Sequence, residues 1–188
     1  MKRVFIIHCM QGTPSDFWYP WLKKELERRG FEVHVPEMPD TDYPKIEPWV
    51  ATLKNNVGGI DDETYFVGHS IGCQTILRFL ESFPSESRIG GSVFVAGWSS
   101  LQNLTDEEKE ITQSWLSEPF DTNKVKQILN KSVAIFSDDD PYVSLDNSQV
   151  FKEKIGSKII VEQNKGHYDT DSSVELPNVL EELINISK

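Results

Sequence analysis

Thr64-Tyr65-Phe66-Val67-Gly68-His69-Ser70-Ile71-Gly72 runs from an unbroken apolar segment into a serine held between two glycines. An amphipathic segment follows at once. Its apolar positions Ile71, Leu77, Phe79 and Leu80, with Thr75 among them and Pro84 as terminator, predict a helix over 71–81. A Gly-x-Ser-x-Gly string alone arises by accident in about one chain in twenty of this length, with Gly and Ser each near ~7%. The setting carries the weight: a strand, a sharp turn and a helix, with the smallest residue two positions before and two after the serine. Such a turn strains the serine backbone, points its hydroxyl away from the sheet, and sets it at the positive end of the next helix. Developing negative charge is stabilised there.

The same alternation recurs on both sides of this stretch. Short apolar runs predict strands over 4–7, 31–35, 64–67, 92–96, 132–136 and 158–161. Helices are predicted over 21–29 behind Pro20, 49–55 behind Pro48, then 124–129, 146–154 and 176–186. Strands that are apolar throughout are buried on both faces, and their alternation with helices implies crossover connections and a parallel sheet. The fold expected is therefore α/β: a three-layer α/β/α sandwich with about six parallel strands. The 188 residues suit one domain. Residues 97–122 are too long for an ordinary connection. They carry Trp98, Trp115 and Phe120 around the charged stretch Asp106-Glu107-Glu108-Lys109-Glu110, and read as a small cap-like insertion in a single domain spanning 1–188.

A serine hydroxyl needs a base, and the base needs a carboxylate to orient it. In the α/β-hydrolase arrangement, with its strand–turn–helix nucleophile, the chain order is Ser, then Asp or Glu, then His. Of His8, His34, His69 and His167, only His167 follows Ser70 beyond the elbow, in the loop Lys165-Gly166-His167-Tyr168. The acid is sought after the fifth strand, in Ser137-Asp138-Asp139-Asp140-Pro141-Tyr142-Val143. Asp140 is chosen because Asp-x-x-Val/Leu is the usual acid turn and Pro141 stiffens it. Asp139 is the alternative, able to bond loop amides, and Asp138 reads as a solvated turn residue. The oxyanion hole is expected from the backbone N–H of Ile71 and one from the loop His8-Cys9-Met10-Gln11-Gly12, with Met10 preferred and Cys9 second.

Other residues have plainer readings. Cys73 is a buried small side chain and His69 packs beside the sheet. Trp18, Trp21 and Trp49 belong to the core or to helix faces. No cluster has metal-ligand spacing and no phosphate loop is present, so no cofactor and no metal are expected. A net charge of −11 argues against nucleic acid and against an anionic membrane surface. No apolar run reaches the ~18 residues of a membrane span, and two cysteines make no disulfide framework, so a cytoplasmic location is expected. The partner expected is a small-molecule acyl substrate.

Ile6-Ile7-His8, Phe17-Trp18-Tyr19-Pro20-Trp21-Leu22, Met38-Pro39, Gly68-His69-Ser70, Asp139-Asp140-Pro141 and Gly166-His167 resemble the small serine hydrolases of the retinoblastoma-binding protein 9 family, the bacterial YdeN-like members most of all. The resemblance spans nearly the whole chain. It implies a compact α/β-hydrolase without two leading strands and a triad at Ser70, Asp140 and His167. Many of these relatives have Gly where this chain has Cys9. The resemblance supplies no substrate; the activity expected from the residues is hydrolysis of a carboxylic ester with a small or medium acyl group. A thioesterase or amidase with the same triad, or an interaction module with little turnover, are the alternatives.

Overall fold

The structure, a computed structural model, describes residues 1–170 and 173–188. Among these, one sheet is built from β1 (Arg3–Ile7), β2 (Glu32–His34), β3 (Thr64–His69), β4 (Gly91–Val95), β5 (Ser132–Ser137) and β6 (Lys158–Glu162). Its spatial order is β2-β1-β3-β4-β5-β6, and every neighbouring pair is parallel. The helices are α1 (Tyr19–Glu27), α2 (Ile46–Val57), α3 (Ile71–Glu81), α4 (Asp106–Ser117), α5 (Thr122–Ile128), α6 (Asp146–Val150) and α7 (Pro177–Ile186).

The central strands feed two cores, because successive side chains point to opposite faces. Phe5, Ile7, Phe66, Phe94 and Phe136 meet Trp49 and Leu53 of α2, Ile76 and Leu80 of α3, and Val125 and Ile128 of α5. Val4, Ile6, Val67, Val93, Val95 and Ile135 meet Trp18 and the α1 residues Leu22 and Leu26, with Val179 and Leu183 of α7. This is why the strands read as unbroken apolar runs: both faces are covered. The three layers are those expected from the sequence.

Two elements differ from the sequence reading. The predicted helix over 146–154 is α6 followed by one π-helical turn, Phe151–Ile155, which turns Phe151 and Ile155 into the core. The charged stretch at 106–110 is only the first part of α4, which continues to Ser117 behind a capping box made by Thr105 and Glu108. Only Thr112 and Trp115 of that helix are buried.

The strand order sets where a ligand can sit. From β1 the chain crosses to β2 on one side, and from β3 it crosses to β4 on the other. Loops leaving the carboxyl ends of β1 and β3 therefore diverge and leave a crevice between them.

Candidate active site

Ser70 stands at that crevice with φ 54° and ψ −116°, a conformation a non-glycine residue adopts only under constraint. The constraint is visible on both sides. A Cβ on Gly72 would lie 2.3 Å from the Ile7 carbonyl oxygen, and one on Gly68 would lie 2.8 Å from the Cys73 nitrogen. The start of α3 is thus packed directly onto the end of β1, which puts the loop after β1 beside the serine. The Ser70 N–H donates to the Val95 carbonyl at 2.9 Å, fixing the turn to β4 as well.

The structure brings His167 and Asp140 to this serine. His167 Nε2 lies 2.9 Å from Ser70 Oγ, and His167 Nδ1 lies 2.8 Å from Asp140 Oδ2. A carboxylate only accepts, so Nδ1 carries the proton and Nε2 presents a lone pair to the serine O–H. The other Asp140 oxygen accepts the N–H groups of Tyr142 and Val143, each at 2.9 Å. Asp140 is buried, whereas Asp138 and Asp139 are exposed.

Those two aspartates lace the β5 turn to the His167 loop. Asp139 Oδ1 accepts the Ser137 hydroxyl at 2.6 Å and the Gly166 N–H at 2.8 Å, and these bonds, the hydroxyl foremost, hold its carboxyl below the usual range. Asp138 accepts the Asn164 N–H at 2.9 Å, so it is tied to that loop rather than merely solvated. Neither approaches the imidazole.

The loop after β1 contributes backbone amides. Cys9 N–H donates to the Tyr19 hydroxyl at 3.2 Å, Gln11 N–H to the Thr41 carbonyl at 2.9 Å and Gly12 N–H to the Cys9 carbonyl at 3.2 Å. The Met10 N–H donates to no group among the described residues. Ile71 occupies the first position of α3, where an N–H has no partner within the helix. Met10 and Ile71 line one cavity of about 110 Å³ with Ser70, His167, Trp98, Leu101, Leu104 and Tyr142.

Several further residues pack around the serine and its loops, and of these Gln74 and Arg78 carried no sequence signal. Trp98 is buried and its indole N–H points at Ser70 Oγ, 3.3 Å away. Gln74, on α3, donates to the Trp98 carbonyl and accepts from Arg78. His8 is fixed between the Cys9 carbonyl at 2.9 Å and the Met38 N–H at 3.1 Å. His69, read from the sequence as packing, is fully buried with both ring nitrogens bonded. Cys9 and Cys73 are buried too, and burial pushes the Cys9 thiol up to about 11 and the Cys73 thiol higher still. Neither is a thiolate at neutral pH.

No group of three or more His, Cys, Asp or Glu among the described residues could hold a metal ion. No helix among them is long and apolar enough to cross a membrane.

Known proteins agree with this architecture. Over 183 residues the chain is 32% identical to the hydrolase YdeN of Bacillus subtilis (strain 168), covering 97% of this chain and 94% of that protein. The crystal structure of the B. subtilis ydeN gene product matches with a TM-score of 0.90 over 99% of this chain and 98% of that one, at 30% identity. Serine hydrolase RBBP9 of Rattus norvegicus is 24% identical over 168 residues, 89% of this chain and 86% of the relative. A model of the family described as serine hydrolase matches residues 4–184, and the chain belongs to that family.

Proposed function

We propose that Ser70 is the nucleophile, His167 the general base and acid, and Asp140 the residue that orients and stabilises the imidazole, in hydrolysis of a carboxylic ester. The observation that carries this is the unbroken path from Asp140 Oδ2 through both His167 nitrogens to Ser70 Oγ, at 2.8 and 2.9 Å. In this reading His167 Nε2 takes the serine proton as Oγ attacks the carbonyl carbon. The N–H groups of Met10 and Ile71 stabilise the oxyanion, and Met10 is favoured over Cys9 because the Cys9 N–H is already committed to Tyr19. The imidazolium protonates the leaving oxygen and becomes neutral. The neutral imidazole then takes a proton from the water that attacks the acyl-enzyme, and returns it to Ser70 Oγ as the acyl C–O bond breaks and the acid departs.

The cavity indicates the substrate class. Its volume, about 110 Å³, is below the ~150 Å³ that holds a benzene ring, which favours a short acyl group. Its wall is mixed: Met10, Ile71, Leu101 and Leu104 give it an apolar part, and the carboxylates of Glu108 and Asp169 on the lining disfavour an anionic acyl group. Residues 97–122 supply Trp98, Leu101, Leu104, Glu108 and Thr112 to the wall and in this reading act as a cap.

The test is labelling with an alkyl fluorophosphonate followed by p-nitrophenyl ester kinetics. Label is expected on Ser70, absent in Ser70→Ala and greatly reduced in His167→Ala. Asp140→Asn is expected to lower kcat by about 10⁴, and Asp139→Asn by less than about tenfold. Folded wild-type protein that takes no label overturns the proposal, and the reverse ranking of the two aspartates overturns the assignment of the acid.

A further inference from the structure

We propose that Tyr19 and His69 form a strut that fixes the oxyanion loop and the His167 loop at one spacing, and that both are positioning residues for the hydrolytic reaction. This rests on the roles proposed above for Met10 and His167.

Hydrogen-bonding capacity fixes where each proton sits. His69 Nε2 lies 2.7 Å from the His167 carbonyl oxygen, which can only accept, so Nε2 carries a proton. A neutral imidazole has one N–H, which leaves Nδ1 as an acceptor. Tyr19 Oη lies 2.6 Å from Nδ1 and therefore donates its proton to it. The tyrosine oxygen keeps lone pairs, and the Cys9 N–H donates to one of them at 3.2 Å. The opposite tautomer would set a lone pair against a buried carbonyl and leave the tyrosine proton facing an N–H. One arrangement satisfies every group, and it runs from the backbone of Cys9 to the backbone of His167.

Burial makes the arrangement rigid. Tyr19 and His69 are both 0% exposed, so a broken bond has no water to replace it. Trp18, Phe17 and the His167 ring surround His69, with the two imidazole centroids 5.5 Å apart. Burial, and then the neighbouring His167, lower the His69 imidazole to about 3. A neutral ring beside His167 does not repel the imidazolium formed during turnover. The strut is also no proton relay, because it ends on an amide and a carbonyl that deliver no proton to the reacting atoms.

Each end has a consequence at the site. With Cys9, Gln11 and Gly12 bonded elsewhere, holding the Cys9 N–H on Tyr19 leaves the Met10 N–H as the loop amide that can face the cavity. At the other end His167 is held twice, by Asp140 on its ring and by His69 on its carbonyl. Oxyanion donor and base are thereby set relative to each other through side chains that touch neither substrate nor nucleophile.

The test uses Tyr19→Phe, His69→Leu and His69→Gln, with kcat divided by the active sites counted with a fluorophosphonate. Tyr19→Phe is expected to lower kcat about tenfold and to weaken phenylboronic acid, which forms a tetrahedral serine adduct, by a similar factor, with KM within about twofold. His69→Leu is expected to lose about a hundredfold. His69→Gln is expected to recover most of that, since an amide can donate to the carbonyl and accept from the tyrosine. Nitrogen-15 resonances of the wild-type His69 ring give a readout independent of any variant: Nε2 protonated, Nδ1 bare, unchanged from pH 8 to pH 5. Unaltered kcat per site and boronate affinity in Tyr19→Phe and His69→Leu, with only a lower Tm, would make both residues mere packing. A proton on Nδ1, or titration of the ring in that range, also overturns the strut. Absent labelling of the wild type defeats the serine hydrolysis reading itself, whereas labelled wild type with unaltered variants defeats the strut alone.

Discussion

The elbow and the segment that faces it across the cavity, residues 97–122, are held by opposite means. The elbow is backbone against backbone: Gly72 abuts the Ile7 carbonyl, and Gly68 abuts Cys73, with no room for a methyl group at either position. The facing segment is held by polar side chains, from α3 and from Asn147 of α6, whose Oδ1 accepts the Ser99 and Ser100 N–H groups. Arg78 donates to the Trp115 carbonyl at 2.9 Å and the Glu118 carbonyl at 2.7 Å, and its guanidinium packs over the rings of Trp115 and Phe120. Those carbonyls end α4, where the helix dipole favours a cation. Gln74, one turn earlier, holds Trp98. One helix thus has Ser70 at its N-cap and bonds the facing segment from its later turns. The elbow rests on steric fit, and the facing segment on buried polar anchors.

Substitutions on each side should separate these roles. Gly72→Ala forces a Cβ to within 2.3 Å of the Ile7 carbonyl oxygen, so the elbow must shift. A fall in kcat/KM of about 10³ is expected for p-nitrophenyl acetate, in the range of a lost oxyanion donor. Near-normal turnover would mean that the two backbones can separate freely. Arg78→Met keeps the volume but leaves the buried Trp115 carbonyl, the buried Gln74 amide oxygen and the part-buried Glu118 carbonyl without their donor. A loss of about 3 kcal/mol in urea unfolding is expected. Fluorophosphonate labelling of Ser70 should persist while KM rises, and equal losses in kcat and labelling would show that the two regions are not separable.

Acid should destabilise the fold. Burial lowers the pKa of His8, and burial with the adjacent His167 lowers that of His69 to about 3 from 6.5. Below about pH 6.5 the unfolded chain gains protons that the folded chain does not, so stability falls as pH falls toward about 3. Urea midpoints measured between pH 7 and pH 4 should decline, and His69→Gln should flatten the slope. A slope unchanged in that variant would remove His69 as a source.

The elbow was legible because each requirement is local: an apolar strand, two glycines at fixed spacing and an amphipathic helix. His167 followed from chain order, and Asp140 from its place after a recognisable strand. The choice between the Met10 and Cys9 amides was not decidable from the sequence, since it turns on where the Tyr19 hydroxyl lands. Arg78 and His69 were missed for a related reason. In a sequence, a charged residue on a helix reads as surface and a histidine beside a serine reads as packing; only burial and the carbonyls around them reveal anchors. The π-helical turn after α6 left no pattern that distinguishes it from an ordinary helix, because Phe151 and Ile155 suit both periods.

The most direct test of the account is a rapid-quench reaction with p-nitrophenyl acetate followed by peptide mapping. The account predicts a burst of one p-nitrophenol per active site and an acetyl group on the peptide that carries Ser70, with both lost in Ser70→Ala. No burst from folded protein, or acetyl carried on Cys9 instead of Ser70, would contradict it.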